Sequence, residues 1–242
     1  IANGSNSEDN EQVADPFMIP LITPSEIDNK SKLISKSRVI EIIDFDPDIY
    51  NGIRSLNPQA PILVRIPFKR GIEEQTVELV QEGVDGLHLY ANYHGLEFEK
   101  NNPRFVKDLI KTVHTTLIRE GLRDEVTIIT SGGIILAEHV PKAIICGADL
   151  VAIDTVSLVA LQCTFEGECI SSENGRISKD KFSKKWGSQR LMNLFASWHD
   201  QLIEILSAMG MRDVRRLRGD IGRAMFNEDL EKEAFGDIAK SY

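Results

Sequence analysis

Thr130-Ser-Gly-Gly-Ile-Ile-Leu-Ala-Glu-His-Val-Pro-Lys-Ala-Ile-Ile-Cys-Gly-Ala-Asp-Leu-Val-Ala-Ile-Asp-Thr155 is the stretch that predicts the fold. An apolar run ends at Thr130, and the glycines that follow let the backbone approach a ligand and turn N–H groups toward an anion. A short helical pattern then reaches Gly147, which suits a helix stop, before a second apolar run leads into Asp154-Thr155. Loops after the last strands of (βα)8 barrels commonly bind phosphate. The pattern therefore favours a phosphate-binding unit of such a barrel over the alternative, a tight turn without a ligand.

The rest of the chain alternates short apolar runs with amphipathic ones. Strands are predicted near 17–22, 39–43, 62–66, 86–90, 126–130 and 150–153, with helices near 47–56, 73–82 and 105–121. Strands separated by helices indicate an α/β protein with a parallel sheet. We expect a leader or linker at 1–16, a partial (βα)8 barrel at 17–165 and a helical extension at 166–242.

One long helix is predicted within that extension. From Trp186 to Gly210, apolar residues recur at spacings of three and four, which gives a wide apolar stripe. We expect this helix to pack on the barrel exterior or on another subunit.

Composition excludes several classes of protein. The 242 residues are 42% hydrophobic, which allows an ordinary core, and no apolar run has the length of a membrane span. The net charge of -9 argues against general nucleic-acid binding, which needs concentrated Lys and Arg. Three scattered cysteines and the lack of a signal peptide predict a cytoplasmic protein with free thiols.

Three segments together resemble the FMN-binding domain of glutamate synthases. They are residues 131–163, the Asn-Pro turn and strand at 56–66, and the tail at 206–219, so the resemblance covers about 39–219. The resemblance implies a partial (βα)8 barrel that binds FMN, and an oxidoreductase that passes electrons between the flavin and an amino- or keto-acid substrate.

The resemblance also implies roles for particular residues. Arg65 stands where the family usually has Lys, so its charge would stabilise the reduced flavin ring, although pairing with an inward carboxylate is the alternative. The FMN phosphate would be lined by Ser131, Gly132, Gly133, Asp154 and Thr155. Because a carboxylate repels phosphate, we expect Asp154 to turn away and leave the backbone N–H groups and the Thr155 hydroxyl to the ligand. No catalytic residue is assigned.

Two departures from the family pattern concern the loop after the fourth predicted strand and the cysteines. Tyr93-His94-Gly95 replaces a glycine-rich loop, so His94 is a candidate contact to flavin or substrate, with a solvated histidine as the alternative. Cys163 and Cys169 match two ligands of the family's iron–sulfur cluster, but Asn174 occupies the place of the third. We therefore expect no iron–sulfur cluster and no other metal site within this chain.

The number of predicted strands and the basic tail suggest partners. About six strands are predicted where a (βα)8 barrel has eight, so we expect a partner chain or a missing N-terminal portion to complete the barrel. The cluster Arg212, Arg215, Arg216 and Arg218 is interleaved with Asp213 and Asp220 and lacks aromatic residues for base stacking. It favours an intersubunit or inter-domain salt-bridge surface over a nucleic-acid site.

Three functions remain open from the sequence. The first is an FMN-dependent oxidoreductase of the glutamate synthase type, acting on a small molecule as a fragment or subunit. The second is a non-catalytic assembly subunit that keeps the partial barrel without a cofactor, which the carboxylate of Asp154 and the missing glycines favour. The third is a phosphate-binding isomerase or aldolase. Such an enzyme would need a Lys or Glu at a strand end, and Arg65 and Glu41 are poor substitutes.

Overall fold

The computed structural model describes residues 17–166, 176–178, 183–219 and 232–233. The predicted leader at 1–16 lies outside the described residues. By its contacts the chain divides into two compact units, Ile1–Val64 and Arg65–Tyr242. The domain boundaries predicted from the sequence stay predictions.

The first unit alternates strands and helices. In chain order it contains β1 (Leu21–Ile22), α1 (Ser31–Lys36), β2 (Ile40–Ile43), α2 (Pro47–Leu56) and the first half of β3 (Ile62–Pro67). β1 and β2 pair in parallel, with Ile22 opposite Ile42. The Ile40 N–H donates to the Pro61 carbonyl at 3.0 Å, which brings the start of β3 beside β2.

The helix predicted at 47–56 is confirmed as α2. Asp46 caps it by accepting the N–H groups of Asp48 and Ile49, and Pro47 occupies the first turn, where it costs no hydrogen bond. The sequence prediction missed α1 and a short 3-10 helix at Pro24–Glu26. Both are shorter than the two turns over which apolar periodicity becomes visible.

The second unit continues the alternation and adds the helical tail. It contains the rest of β3, α3 (Ile72–Gln81), β4 (Gly86–Tyr90), α4 (Val106–Arg119), β5 (Thr127–Ser131), α5 (His139–Ile145), β6 (Leu150–Val151), α6 (Thr155–Ala160), β7 (Thr164–Glu166), β8 (Arg176–Ser178) and α7 (Lys184–Ala208), followed by a 3-10 helix at Val214–Leu217. β4, β5 and β6 are parallel neighbours, whereas β7 and β8 form an antiparallel pair that the sequence did not predict.

The two faces of β4 differ in chemistry. Leu87 and Leu89 are fully buried on one face, as expected for the side of a parallel sheet that helices cover. His88 and Tyr90 lie on the opposite face with polar partners. The apolar core therefore sits on one side of this strand, and the polar groups line the other.

The strands at the two ends of the predicted series are shorter than expected. β1 begins only at Leu21, after Pro20, which has no backbone N–H to donate. β6 ends at Val151, because Asp154 already caps the next helix. The six parallel strands and the long α7 helix were otherwise predicted correctly, to within a few residues at each end.

None of the helices in the described part of the chain combines the length and the apolar character that crossing a bilayer requires.

Candidate functional site

Gly132 and Gly133, the first residues after β5, form what we call the glycine loop. Both have left-handed backbone angles, with φ of +92° and +71°, which favour glycine because any Cβ would be strained there. Their backbone N–H groups donate to no acceptor among the described residues. Two adjacent unpaired N–H groups at the carboxyl end of a strand suit an oxyanion.

The glycine loop packs closely against the loop that follows β4. A Cβ on Gly132 would lie 2.3 Å from the Ala91 carbonyl oxygen, and one on Gly133 would lie 2.4 Å from Cα of Gly95. A side chain at either position would therefore require the backbone to move. Close approach to a neighbouring loop, rather than to a ligand alone, explains why glycine is needed here.

Asp154 and Thr155 lie where β6 gives way to α6, and their arrangement overturns one prediction. Asp154 Oδ1 accepts the Thr155 backbone N–H at 2.5 Å and its hydroxyl at 3.0 Å. The expectation that Asp154 turns away and leaves these donors to a phosphate is wrong. The physical reason is helix capping: an aspartate just before a helix accepts the first N–H groups, and its own carboxylate satisfies them.

An apolar cluster that includes one residue of the tail helix lies beside the glycine loop and the start of α6. Ile134, Ala137, Val156 and Trp198 are buried together. Gly133 precedes Ile134 and Thr155 precedes Val156, so both candidate loops lie beside this cluster. Because Trp198 belongs to α7, the tail helix packs within the chain and supports the loops.

Arg65 lies in the second half of β3, half-buried, with its guanidinium carbon 4.8 Å from the centroid of the Tyr90 ring. It forms no ion pair among the described residues. The alternative that an inward carboxylate neutralises Arg65 is therefore wrong for this part of the chain. Stacking on an aromatic face leaves the in-plane N–H donors of a guanidinium available for an anion.

Ser131, the last residue of β5, has a side chain with a partner that the sequence did not suggest. Its Oγ and Nε2 of His88 are hydrogen-bonded at 2.9 Å, and both side chains are buried. The hydroxyl thus faces a neighbouring strand, and direct binding of a cofactor by Ser131 stays a prediction. His88 has no sequence signal beyond a polar residue inside an apolar strand pattern.

The loop between β4 and α4, where His94 lies, is held by its own polar side chains. His94 is exposed, and Asn92 Oδ1 accepts the backbone N–H groups of His94 and Leu96 at 2.9 and 3.0 Å. An asparagine after a strand is a typical turn residue, so the sequence carried a signal for this turn. A cofactor role for His94 stays a prediction.

A buried ion pair closes the same loop. The Glu97 carboxylate is 5% exposed and accepts the Arg104 backbone N–H at 2.9 Å and its guanidinium at 2.9 and 3.1 Å. The same guanidinium also pairs with Glu73 of α3. Burial raises the pKa of Glu97, but the bonds from Arg104 outweigh it and hold the pKa below the usual range. Sequence analysis missed this pair, because both residues lie in the loop between β4 and α4, where no helix or strand periodicity relates them.

The tail contributes to a second polar cluster near the amino ends of β5 and β6, which we call the ion network. Its members are His114, Arg123, Asp124, Asp149 and Arg218. Asp149 Oδ2 accepts from Arg123 at 2.8 Å, and its Oδ1 accepts from Arg218 at 2.8 Å. Although burial alone would raise the pKa of Asp149, the two arginines and a backbone N–H hold it below its usual range.

These ion pairs change the interpretation of the basic tail. Arg218 pairs with two carboxylates of its own chain, and Arg215 pairs with the adjacent Asp213 at 2.7 Å. The Arg218 pairs join the predicted helical extension to the predicted barrel, as the inter-domain alternative expects, whereas the Arg215 pair is local to the tail. Asp220 lies outside the described residues.

The cysteines show no ligand arrangement in the described part of the chain. Burial raises the pKa of the Cys146 thiol to about 12, so it is an inert core thiol, and Cys163 is a half-buried free thiol. Cys169 and Asn174 lie outside the described residues. The expected absence of an iron–sulfur cluster is therefore still a prediction.

Comparison with known proteins relates the chain to one family. The family model described as the conserved region in glutamate synthase matches residues 26–212. An archaeal-type glutamate synthase (NADPH) of Thermotoga neapolitana is 35% identical over 75% of this chain and 38% of its own length. An archaeal glutamate synthase (NADPH) of Archaeoglobus fulgidus is 26% identical over 93% of this chain and 47% of its own length. The chain thus spans less than half the length of these curated relatives.

A solved structure supports the fold class. A flavocytochrome b2 double mutant with sulfite bound superposes with a TM-score of 0.59 at 14% identity, over 84% of this chain and 53% of that one. At this identity the similarity concerns the fold alone, and it agrees with a partial barrel of the (βα)8 type. With the family model covering most of its residues, the chain belongs to the glutamate synthase family.

Proposed function

We propose that the chain forms the phosphate end of an FMN site in an oxidoreductase of the glutamate synthase type. The observation that carries this proposal is the glycine loop, whose two adjacent N–H groups at the carboxyl end of β5 find no acceptor among the residues that the structure describes. A dianionic phosphate is the kind of ligand that such a pair of donors stabilises. Membership of the glutamate synthase family supports a flavin as the molecule that carries the phosphate.

The residues fit FMN at two places and oppose it at a third. The glycine loop fits the phosphate, and the unpaired guanidinium of Arg65 fits the negative charge of a reduced flavin ring. Asp154 opposes it, because its carboxylate holds the donors of Thr155. We therefore assign the phosphate to the glycine loop, and Thr155 becomes a contact only if Asp154 moves.

When bound, FMN would supply the redox chemistry, and the residues of this chain would supply binding and orientation. Arg65 holds a delocalised charge on the face of Tyr90, where it is partly shielded from water and more effective on a neighbouring anion than an exposed cation. The Glu97–Arg104 pair fixes the loop that packs on the glycine loop. The substrate proposed for the complete enzyme is an amino or keto acid.

Completion of the barrel is part of the same proposal. The described residues contribute six parallel strands, whereas a (βα)8 barrel has eight, and the curated relatives are more than twice as long as this chain. We propose that residues of a longer polypeptide or a partner chain supply the remaining strands and part of the substrate site. A cytoplasmic location is proposed with it.

The second candidate function is an assembly subunit that binds no cofactor. The observation that favours it is the carboxylate of Asp154, which already satisfies the N–H and hydroxyl of Thr155 as an internal anion. Placing a phosphate beside this carboxylate costs electrostatic repulsion.

Titration with FMN and with riboflavin, which lacks the phosphate, separates the two functions. Calorimetry or quenching of flavin fluorescence measures both affinities. If the chain forms the phosphate end of a site, FMN binds about tenfold or more tightly than riboflavin, because only FMN reaches the charge-assisted donors. A chain that binds neither flavin, alone or in its native assembly, is the assembly subunit.

The variant Asp154→Asn sharpens this test, because asparagine keeps the helix cap and removes the charge. We expect FMN affinity to rise by about tenfold while riboflavin affinity stays the same, since the repulsion acts on the phosphate alone. Asp200→Asn is the matched control, because its side chain is 80% exposed on α7. Equal gains for FMN and riboflavin would contradict the assignment of Asp154.

A further inference from the structure

His88 and Ser131 form a buried polar pair on neighbouring parallel strands. Nε2 of His88 and Oγ of Ser131 are hydrogen-bonded at 2.9 Å, and the two residues are 8% and 2% exposed. In the register of β4 and β5, His88 is opposite Ile129 and Tyr90 is opposite Ser131. The pair therefore spans a diagonal of one sheet face, the same face on which Arg65 stacks on Tyr90.

Core packing alone does not account for this pair. Burying an imidazole and a hydroxyl costs desolvation free energy, which their mutual hydrogen bond only partly offsets. Two apolar side chains of similar volume would fill the same space without that cost, as Leu87 and Leu89 do on the opposite face of β4. What the polar pair adds is direction, because a hydrogen bond holds the Ser131 side chain in one orientation.

Ser131 is the residue immediately before the glycine loop. The main chain of this loop is already confined on one side by Ala91 and Gly95, which follow β4. His88 belongs to β4 as well, so one strand and its loop hold both Ser131 and the glycines. Within the described part of the chain the N–H groups of Gly132 and Gly133 have no acceptor, and their direction depends on these contacts.

We infer that His88 is a positioning residue of the glycine loop. Its hydrogen bond to Ser131 fixes the end of β5 so that the N–H groups of Gly132 and Gly133 converge on one oxyanion of the phosphate class. The inference rests on the proposed function in assigning the loop to an anion. It goes further by naming the side chain that holds the loop in the conformation that binds the anion.

The test is a titration of the folded chain with inorganic phosphate. The amide ¹H–¹⁵N chemical shifts of Gly132 and Gly133 report the binding. The variants are His88→Phe, which keeps the ring volume and loses the hydrogen bond, Ser131→Ala, and His88→Gln, which retains a polar group within reach. Thr130→Val is the matched control, because the neighbouring Thr130 hydroxyl is buried and has no hydrogen-bond partner among the described residues. Thermal unfolding of every variant measures the purely structural contribution.

We expect His88→Phe and Ser131→Ala to weaken phosphate binding by about fivefold or more, which is the effect of one net hydrogen bond. His88→Gln and Thr130→Val should remain within about twofold of the wild type. A merely structural role for His88 would lower the melting temperature and leave the phosphate affinity unchanged, and this result would overturn the inference. If His88→Phe does not fold, Ser131→Ala gives the decision, because it leaves the imidazole in place.

Failure of the proposed function is distinguishable from failure of this inference. If phosphate shifts the two glycine amides in a His88-dependent manner but FMN does not bind, the flavin assignment fails and the positioning role stands. If FMN binds tightly and His88→Phe changes neither phosphate affinity nor the preference for FMN over riboflavin, the positioning role fails. Absence of any phosphate-induced shift at Gly132 and Gly133 in the wild type also overturns it.

Discussion

The two ends of the segment from β5 to β6 differ in how their polar groups are satisfied. At the amino ends of the strands, the ion network pairs every charge, and Arg123 alone donates to His114, to Asp149 and to two backbone carbonyls. At the carboxyl ends, the glycine loop leaves two N–H groups without an acceptor among the described residues. The first arrangement is typical of a network that stabilises the fold, and the second is typical of a ligand-binding site.

Glycines serve both ends, and their surroundings show the same difference. A Cβ on Gly147 would lie 2.3 Å from the His114 ring, so this glycine allows a helix end to pack on a buried side chain. Gly132 and Gly133 instead pack on backbone atoms of the loop that follows β4. One sequence motif thus contains a glycine that packs on a side chain and two glycines that pack on backbone, at the proposed phosphate site.

The largest effect should come from the structural end. Arg123→Ala removes one ion-pair partner of Asp149, which keeps its bond from Arg218, and takes the side-chain donor away from His114 and from two buried carbonyls. We expect a loss of about 3–5 kcal/mol in the free energy of unfolding. Urea denaturation measures it, with the exposed Arg119→Ala as the matched control. A loss below about 1 kcal/mol, the range of surface ion pairs, would show that the ion network does not stabilise the fold as a buried network should.

An intermediate effect is expected at the ligand end. Gly133→Ala introduces a strained backbone and a clash with Gly95, which should cost about 2–3 kcal/mol and also abolish the preference for FMN over riboflavin. Gly52→Ala is the control, because a Cβ there meets nothing within 4 Å on helix α2. That variant should gain about 0.5–1 kcal/mol from better helix propensity. If Gly133→Ala kept the preference for FMN, the glycine loop would be a packing device like Gly147.

A smaller, pH-dependent effect distinguishes the two ends again. Burial, together with the charges of Arg123 and Arg218, lowers the pKa of His114 from 6.5 to about 4. His114 is therefore protonated below about pH 6.5 in the unfolded chain but only below about pH 4 in the folded chain. Its contribution to the free energy of unfolding is complete above pH 6.5 and is lost as the pH falls from 6.5 to about 4. Between pH 7.5 and pH 5 we expect a loss of about 2 kcal/mol from this group.

The variant His114→Asn isolates that contribution, because an amide oxygen can still accept from Arg123 but does not titrate in this range. Denaturant unfolding at several pH values should show a flatter pH dependence for His114→Asn than for the wild type. His199→Asn, at a position where the side chain is 70% exposed, should keep the wild-type slope. Equal slopes for all three proteins would contradict the buried, neutral state of His114.

Much of the fold was predictable, because it depends on patterns that are local in the chain. The spacing of apolar residues predicted the six parallel strands, α7 and the helix at 47–56. Short elements such as α1 and β7 were missed, since a few residues do not establish a period. Within the candidate site, the glycines at 132 and 133 were predicted to let the backbone approach a ligand, and this stays a prediction; the structure shows their close approach to the loop after β4.

The partners of the polar side chains were not predictable in the same way. Asp154 was expected to turn away from the phosphate and leave the Thr155 hydroxyl to it, but it caps α6 and accepts that hydroxyl. Arg65 was given a carboxylate partner as an alternative, but among the described residues it stacks on Tyr90. His88 drew no attention in the sequence, although it holds Ser131 from 43 residues away. Each of these outcomes depends on which side chains lie within contact distance of one another in the folded chain.

The sequence by itself determined the alternation of strands and helices and the membership of the glutamate synthase family. These follow from periodicity, backbone sterics and residue identity, which act within a few residues of each other. Only the tertiary structure decided that the tail arginine Arg218 locks onto Asp149, that Trp198 supports the candidate loops and that Asp154 competes for the donors of Thr155. Competition among polar groups for hydrogen-bond partners is settled by distance and burial, and neither is defined until the chain has folded.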